Sequence, residues 1–238
     1  MWIKICGITQ LEDAQHALRS GADAIGFVFA PSPRRITPQA ACQITRELPP
    51  SLEKIGVFVN TPIAEIRSAC EIAGLSGVQL HDESPNRHSP TLASDLHVWL
   101  QHLSPRPRII EVMHYDGNSA SVALQFRALR AQPEPDPGPR TVLVDTRIAG
   151  KVGGTGTSFD WQAAQDLLLR HASDLHWVVA GGLHPENVRD AIQILRPWGV
   201  DVSSGVESSP GRKDHTRVEE FIRVARTAAA EFAEAAQR

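Results

Sequence analysis

Eight strand-prone runs alternating with amphipathic stretches within 238 residues predict an α/β fold, a single (β/α)8 TIM barrel with parallel strands spanning residues 1–238. Three observations carry this expectation. The runs are Val/Ile-rich without clean alternation, as parallel strands buried on both faces are. One strand–helix pair recurs about every 30 residues, and an open doubly wound sheet usually has fewer such units. Late in the chain, two successive strand ends, Ala180-Gly-Gly-Leu183 and Asp201-Val-Ser-Ser-Gly-Val-Glu207, are stripped of bulky side chains. Backbone at such a place can approach a ligand closely, and its N–H groups suit a phosphate dianion. In this architecture that signature belongs after strands seven and eight.

The elements follow in order. Residues 3–8 form the first apolar run, and a short helix over 11–20 stops at Gly21. Residues 24–29 are the second strand, followed by a helix over 38–48. The third strand covers 54–59. Pro62 suits the first turn of a helix that runs to Ala73 and ends at Gly74. Residues 78–81 are the fourth strand, with a helix expected within 91–103. Strand five (108–113) precedes a helix over 119–130, and strand six (141–145) one over 160–170. Strand seven (177–180) leads to a helix over 186–195, and strand eight (200–203) to a final helix over 215–235. Two Pro-rich stretches, 102–108 and 132–140, precede strands five and six, which puts them on the face away from the strand C-termini.

The composition is that of an ordinary globular chain, with 42% hydrophobic and 21% charged residues. A formal net charge of −3 without any block of like charges gives no electrostatic case for a nucleic-acid partner. No apolar run approaches the roughly 20 residues needed to cross a bilayer, and the first residues lack the layout of a signal peptide. The three cysteines, Cys6, Cys42 and Cys70, match no zinc spacing and no disulfide framework. They point to free thiols in a reducing cytoplasm.

Right-handed crossovers put every strand's C-terminal end on one face, where catalysis occurs in this fold. Cys6 ends strand one. A cysteine in an apolar run is commonly a small buried hydrophobe, but here it is placed to be a nucleophile or, once ionised, a base. Asp145 ends strand six and is either a cap of the next loop or a general acid or base. Arg34, held between prolines after strand two, suits an anionic substrate group or is simply solvated. His81, ending strand four, is a ligand, a base or a satisfied polar rim residue. Asp201 opens the last motif and can hold a substrate hydroxyl or amine. Gly154 lies in a Gly-rich stretch (150–156) able to cradle phosphate. Cys42 and Cys70 fall on helices and read as core.

Several motifs together resemble a known family. They are Lys4-Ile-Cys-Gly-Ile-Thr9, Gly26-Phe-Val-Phe29 with Ser32-Pro-Arg34, Gly56-Val-Phe-Val-Asn60, Val78-Gln-Leu-His81, Gly153-Gly-Thr-Gly156 with Phe159-Asp-Trp161, and the two Gly-rich strand ends with Pro185-Glu-Asn-Val188 and Pro210-Gly-Arg-Lys-Asp214. In this order they are similar to phosphoribosylanthranilate isomerase of tryptophan biosynthesis. The resemblance implies a cofactor-free Amadori rearrangement of a phosphosugar. No metal is expected, and since such a barrel can function alone, the chain is expected to be a monomer or homodimer. It implies Cys6 as general base, Asp145 as general acid, and Arg34 as a substrate contact. Phosphate would rest on backbone N–H groups near Gly182, Ser204 and Gly205. Nearby positive charge would help Cys6 ionise, and desolvation would help Asp145 stay protonated.

The chain departs from the family at Asp82, Thr157, Glu111 and His184, none of which replaces Cys6 or Asp145. Indole-glycerol-phosphate synthase, another phosphate-binding barrel, needs a lysine acid and a glutamate base at strand ends, which Cys6 and Asp145 do not supply. A non-enzymatic phosphosugar-binding barrel would not require either residue.

Overall fold

In a computed structural model the described residues are 1–81, 99, 107–115, 119–130, 139–145, 161–171 and 174–235. Eight strands close into a barrel in sequential order: β1 (Trp2–Cys6), β2 (Ala24–Val28), β3 (Glu53–Val59), β4 (Gly77–His81), β5 (Arg108–His114), β6 (Thr141–Asp145), β7 (His176–Ala180) and β8 (Gly199–Val202). Each neighbouring pair is parallel, and β8 pairs back to β1 with Lys4 opposite Asp201. The described helices are α1 (Leu11–Arg19), α2 (Pro38–Thr45), α3 (Ile63–Ala73), α4 (Ser119–Arg130), α5 (Trp161–His171), α6 (Val188–Leu195) and α7 (His215–Ala235).

The strand period of two sorts side chains between two cores. Ile3, Ile5, Ile25 and Phe27 face outward and pack with the helices. Trp2, Ala24, Ile55, Ile110, Leu143 and Val178 face inward and fill the base of the barrel. Burying each large apolar side chain contributes about 1.5–3 kcal/mol. At the N-terminal end of the barrel, Trp2 and Trp198 stack with centroids 5.4 Å apart, and the Arg108 guanidinium lies 5.8 and 5.2 Å from their rings. Glu53 accepts from Arg108 Nε and Nη2 at 2.7 and 3.0 Å.

Element types agree with expectation, and the ends differ for local reasons. β1 stops at Cys6, not Ile8, because Gly7 turns into the left-handed region at φ +79°. α2 ends at Thr45, after which Glu47 and Leu48 donate to Ile44 and Thr45 in i→i−3 bonds that tighten the chain out of the α-helix. α6 begins at Val188, since Asn187 folds 184–187 into a turn by accepting from His184 N at 2.8 Å and donating to Gly182 O at 3.0 Å. Pro62 precedes α3 rather than opening it, and Gly74 caps that helix in the left-handed conformation, as its position suggested. Thr37 caps α2 by accepting from Ala40 N at 3.2 Å. The helix expected within 91–103, apart from Trp99, lies outside the described residues, as do most of both Pro-rich stretches. A short antiparallel pair after β8, β9 (Glu207–Ser209) with β10 (Arg212–Lys213), was not anticipated.

Candidate active site

Cys6, Arg34, His81, Asp145, Gly182, Asp201 and Ser204 all line one cavity of about 260 Å³. It opens where β1, β4 and β6 end, the C-terminal mouth of the barrel. Cys6 and Asp145 are the last residues of their strands, and both are buried, at 6% and 3% exposure.

Beneath Cys6 lies a polar layer that the motifs did not reveal. Lys4 sits two residues earlier on the same inward face and is wholly buried. Its Nζ donates to Gln79 Oε1 at 2.8 Å and to Asp201 Oδ1 at 2.9 Å, and its charge acts on the Cys6 thiol. A buried ammonium without such partners would be prohibitively costly. Burial opposes its charge, yet Asp201 and Cys6 outweigh that and hold Lys4 above the ordinary lysine range. Gln79 Nε2 lies 2.8 Å from His81 Nε2, which extends the network to the cavity wall.

Burial pushes the Cys6 thiol above its usual range; Lys4 and Lys213 pull it down and Asp201 adds to the rise. The cationic neighbours that a reactive thiol needs are therefore present, but dehydration by burial outweighs them. Asp201 spends one carboxylate oxygen on Lys4, so its first task is to neutralise that ammonium.

Arg34 is placed by a loop that folds back on its own strand. Ile36 N donates to Val28 O at 3.0 Å, and Arg34 N donates to Ser32 Oγ at 3.1 Å. Its Nε and Nη2 each donate to Glu207 at 2.7 Å. Glu207 also accepts from Lys213 Nζ at 3.0 Å, and the two sit opposite each other in the β9–β10 register. Burial works against the Glu207 charge, but bonds from Arg34 and Lys213 prevail and hold its carboxyl below the ordinary range.

The second wall is backbone. Gly181 and Gly182 have φ of +90° and +68°, and a Cβ on Gly182 would meet nothing within 4 Å. Ser204 opens a 3₁₀ turn over Ser204–Val206. Gly205 sits one residue beyond the cavity lining, where a Cβ would lie 1.9 Å from the Leu183 carbonyl oxygen. Gly154, Asp82 and Thr157 lie outside the described residues. Glu111 is on the outer face of β5, opposite to inward Ile110, and accepts from Arg140 Nη1 at 2.8 Å. His184 contacts Glu186 through Nδ1 at 2.6 Å. Among the described residues no cluster of His, Cys, Asp and Glu could hold a metal ion, and no helix is long and apolar enough to cross a membrane.

A thiol, a carboxyl group and glycine-bared backbone around one cavity at the mouth of a closed (β/α)8 barrel are the equipment of a barrel enzyme of the acid–base kind. The family model for N-(5'phosphoribosyl)anthranilate (PRA) isomerase matches residues 3–116 and 119–224. The N-(5'-phosphoribosyl)anthranilate isomerase of Thermotoga maritima is 41% identical over 94% of this chain and 98% of its own, and that of Pelobacter propionicus 39% over 94% and 95%. The crystal structure of the Thermotoga maritima enzyme superposes with a TM-score of 0.78 at 38% identity, covering 95% of this chain and 99% of that one. A structure of phosphoribosyl anthranilate isomerase in complex with reduced 1-(o-carboxyphenylamino)-1-deoxyribulose 5-phosphate gives 0.75 at 36% identity, with coverage of 95% and 99%. The chain belongs to the phosphoribosylanthranilate isomerase family, aldose–ketose isomerases of tryptophan biosynthesis.

Lys4, Gln79, Glu207 and Lys213 are the site residues that motif reasoning left without a role. For two of them a signal existed: Lys4 and Gln79 each stand two residues before a singled-out residue, Cys6 and His81, and so share its face.

Proposed function

We propose that this chain isomerises N-(5-phosphoribosyl)anthranilate to 1-(2-carboxyphenylamino)-1-deoxyribulose 5-phosphate by general acid–base catalysis, with no cofactor. The carrying observation is that Cys6 and Asp145 end two strands on the wall of a single cavity, with the glycine-bared ends of β7 and β8 between them. Asp145 gives its proton to the furanose ring oxygen. The C1–O bond breaks as the nitrogen lone pair moves in, forming a protonated Schiff base. The Cys6 thiolate takes the proton from C2, and the electron pair left behind neutralises the iminium to an enolamine, which tautomerises to the ketone. The phosphate sits against Gly182, Ser204 and Gly205, where oriented N–H groups can meet a dianion. Arg34, its guanidinium braced by Glu207, faces the substrate from the β2 side, while His81 lines the wall between. All these residues come from one chain, so the site suits a monomer or a homodimer. Three free cysteines fit a reducing, cytoplasmic setting.

The test is a coupled assay in which anthranilate and phosphoribosyl pyrophosphate supply the substrate through a transferase. Disappearance of the fluorescent anthranilate adduct on adding this protein, without release of carbon dioxide, is the expected result. A stable adduct signal at high enzyme concentration would refute the assignment.

A further inference from the structure

We propose that Lys4 and Gln79 are positioning residues that hold the His81 imidazole uncharged, with its proton on Nδ1. The hydrogen bonds can run in one direction only. An ammonium has protons to give and no lone pair to offer, so Gln79 must present Oε1 to Lys4 Nζ, 2.8 Å away. That leaves the Gln79 NH₂ group facing His81 Nε2 at 2.8 Å. An amide nitrogen only donates, so His81 Nε2 accepts, and a ring that accepts at Nε2 carries its proton on Nδ1.

The orientation is anchored at its far end. Lys4 is wholly buried and is held from the other side by Asp201 at 2.9 Å. Gln79 is 2% exposed and lies between Lys4 and His81 on the inner face of β4. Turning the amide over would set its NH₂ against the ammonium, donor to donor, inside the barrel.

The surroundings of His81 are mixed in charge. His114 on β5 has its ring 6.1 Å away. Cys6, Asp145 and Asp201 line the same cavity from β1, β6 and β8 and Arg34 from the loop after β2, while β3 contributes Val57 and Val59. An imidazolium here would favour thiolate and carboxylate together, and so remove the proton that Asp145 must deliver. The uncharged ring leaves that proton to the Cys6–Asp145 pair. This consequence for turnover rests on the isomerase reading; the tautomer does not.

The test is long-range ¹H–¹⁵N correlation on protein labelled in its histidine rings at neutral pH, with His81 assigned by the signals lost in His81→Asn. The expected wild-type spectrum shows protonated Nδ1 and bare Nε2. In Gln79→Glu, a carboxylate replaces the donor, and Nε2 gains a proton. A proton on Nε2 in the wild type would overturn the proposal, whether or not the variant folds. So would a folded Gln79→Glu in which Nε2 stays bare. The expected tautomer in a protein without isomerase turnover would refute the reaction and leave the tautomer lock standing.

Discussion

Cys6 and Asp145 each owe their suspected role to one local fact, a reactive group directly after an apolar strand, and that much can be read from the sequence. What could not be read is relational. Lys4 meets Gln79 and Asp201 across 75 and 197 residues, and only barrel closure makes the three neighbours. Replacing Cys6 by Ala or Asp145 by Asn is expected to lower kcat by about 10²–10⁴-fold with little change in melting temperature, measured by steady-state kinetics and calorimetry. The pH profile has a less obvious sign. In the proposed mechanism the pair shares one proton, placed on Asp145 and absent from Cys6. Carboxyls ordinarily release protons below thiols, and burial pushes Cys6 higher still, so the last proton to leave belongs to the thiol. We therefore expect kcat/KM to fall, not rise, on the alkaline side as Cys6 ionises. Lys4→Met removes the cation that lowers Cys6 and should move that limb to higher pH. Alkylation rates of Cys6 against pH check whether limb and thiol coincide. Gly26 belongs to the same scale: a Cβ there would stand 2.7 Å from Cys6 Sγ and 3.0 Å from Lys4 Cε. Gly26→Ala should displace the thiol and cost about 10²-fold in kcat, seen in kinetics as a turnover defect larger than any change in KM.

Between residue and barrel stand the short elements that the strand–helix rhythm does not announce. The β9–β10 pair has five residues in all and no apolar pattern, so nothing in its sequence marks it as a strand pair. Its work is to hold Glu207 and Lys213 opposite each other, and through Glu207 to brace the loop after β2. The Glu207 side chain is 4% exposed, and its carboxyl is held below the ordinary glutamate range. A group with a depressed folded value stabilises the fold above its unfolded value and loses that contribution as pH falls through the folded one. Wild type should therefore lose melting temperature between about pH 5 and 3 more steeply than Glu207→Gln, the difference read by calorimetry across that range. The variant should also raise KM on the order of tenfold, because Arg34 loses a charged partner on two of its nitrogens. A helix end was legible where the cap is a residue type, as at Gly74, and not where tertiary bonds decide, as at Asn187.

At the scale of the molecule the barrel was legible because it is a repeat: eight apolar runs at even spacing leave few alternatives to closure. The order of strands follows from that count, whereas the polar layer inside the barrel does not, since inward positions of such barrels are mostly branched apolar residues. The packed shell outside offers a probe of whole-molecule opening. Cys70 on α3 is 6% exposed, packs with Phe58, Ile66 and Val78, and has its thiol pushed up to about 12 by burial and by Glu71. It should resist alkylation at pH 8 in the native state and react only at the rate of unfolding, which mass spectrometry of timed samples will read. Modification of Cys70 at the rate of an unfolded peptide would show that the α3–barrel packing is loose.

The pairing of Lys4 with Asp201 also sets an order of events during synthesis. The ribosome delivers the counter-ion 197 residues after the ammonium. Until β8 emerges, a nascent chain that collapses must leave Lys4 at a wet seam or bury it uncompensated. A half-made barrel is therefore expected to stay open along the β1 edge until the last strand brings the carboxylate.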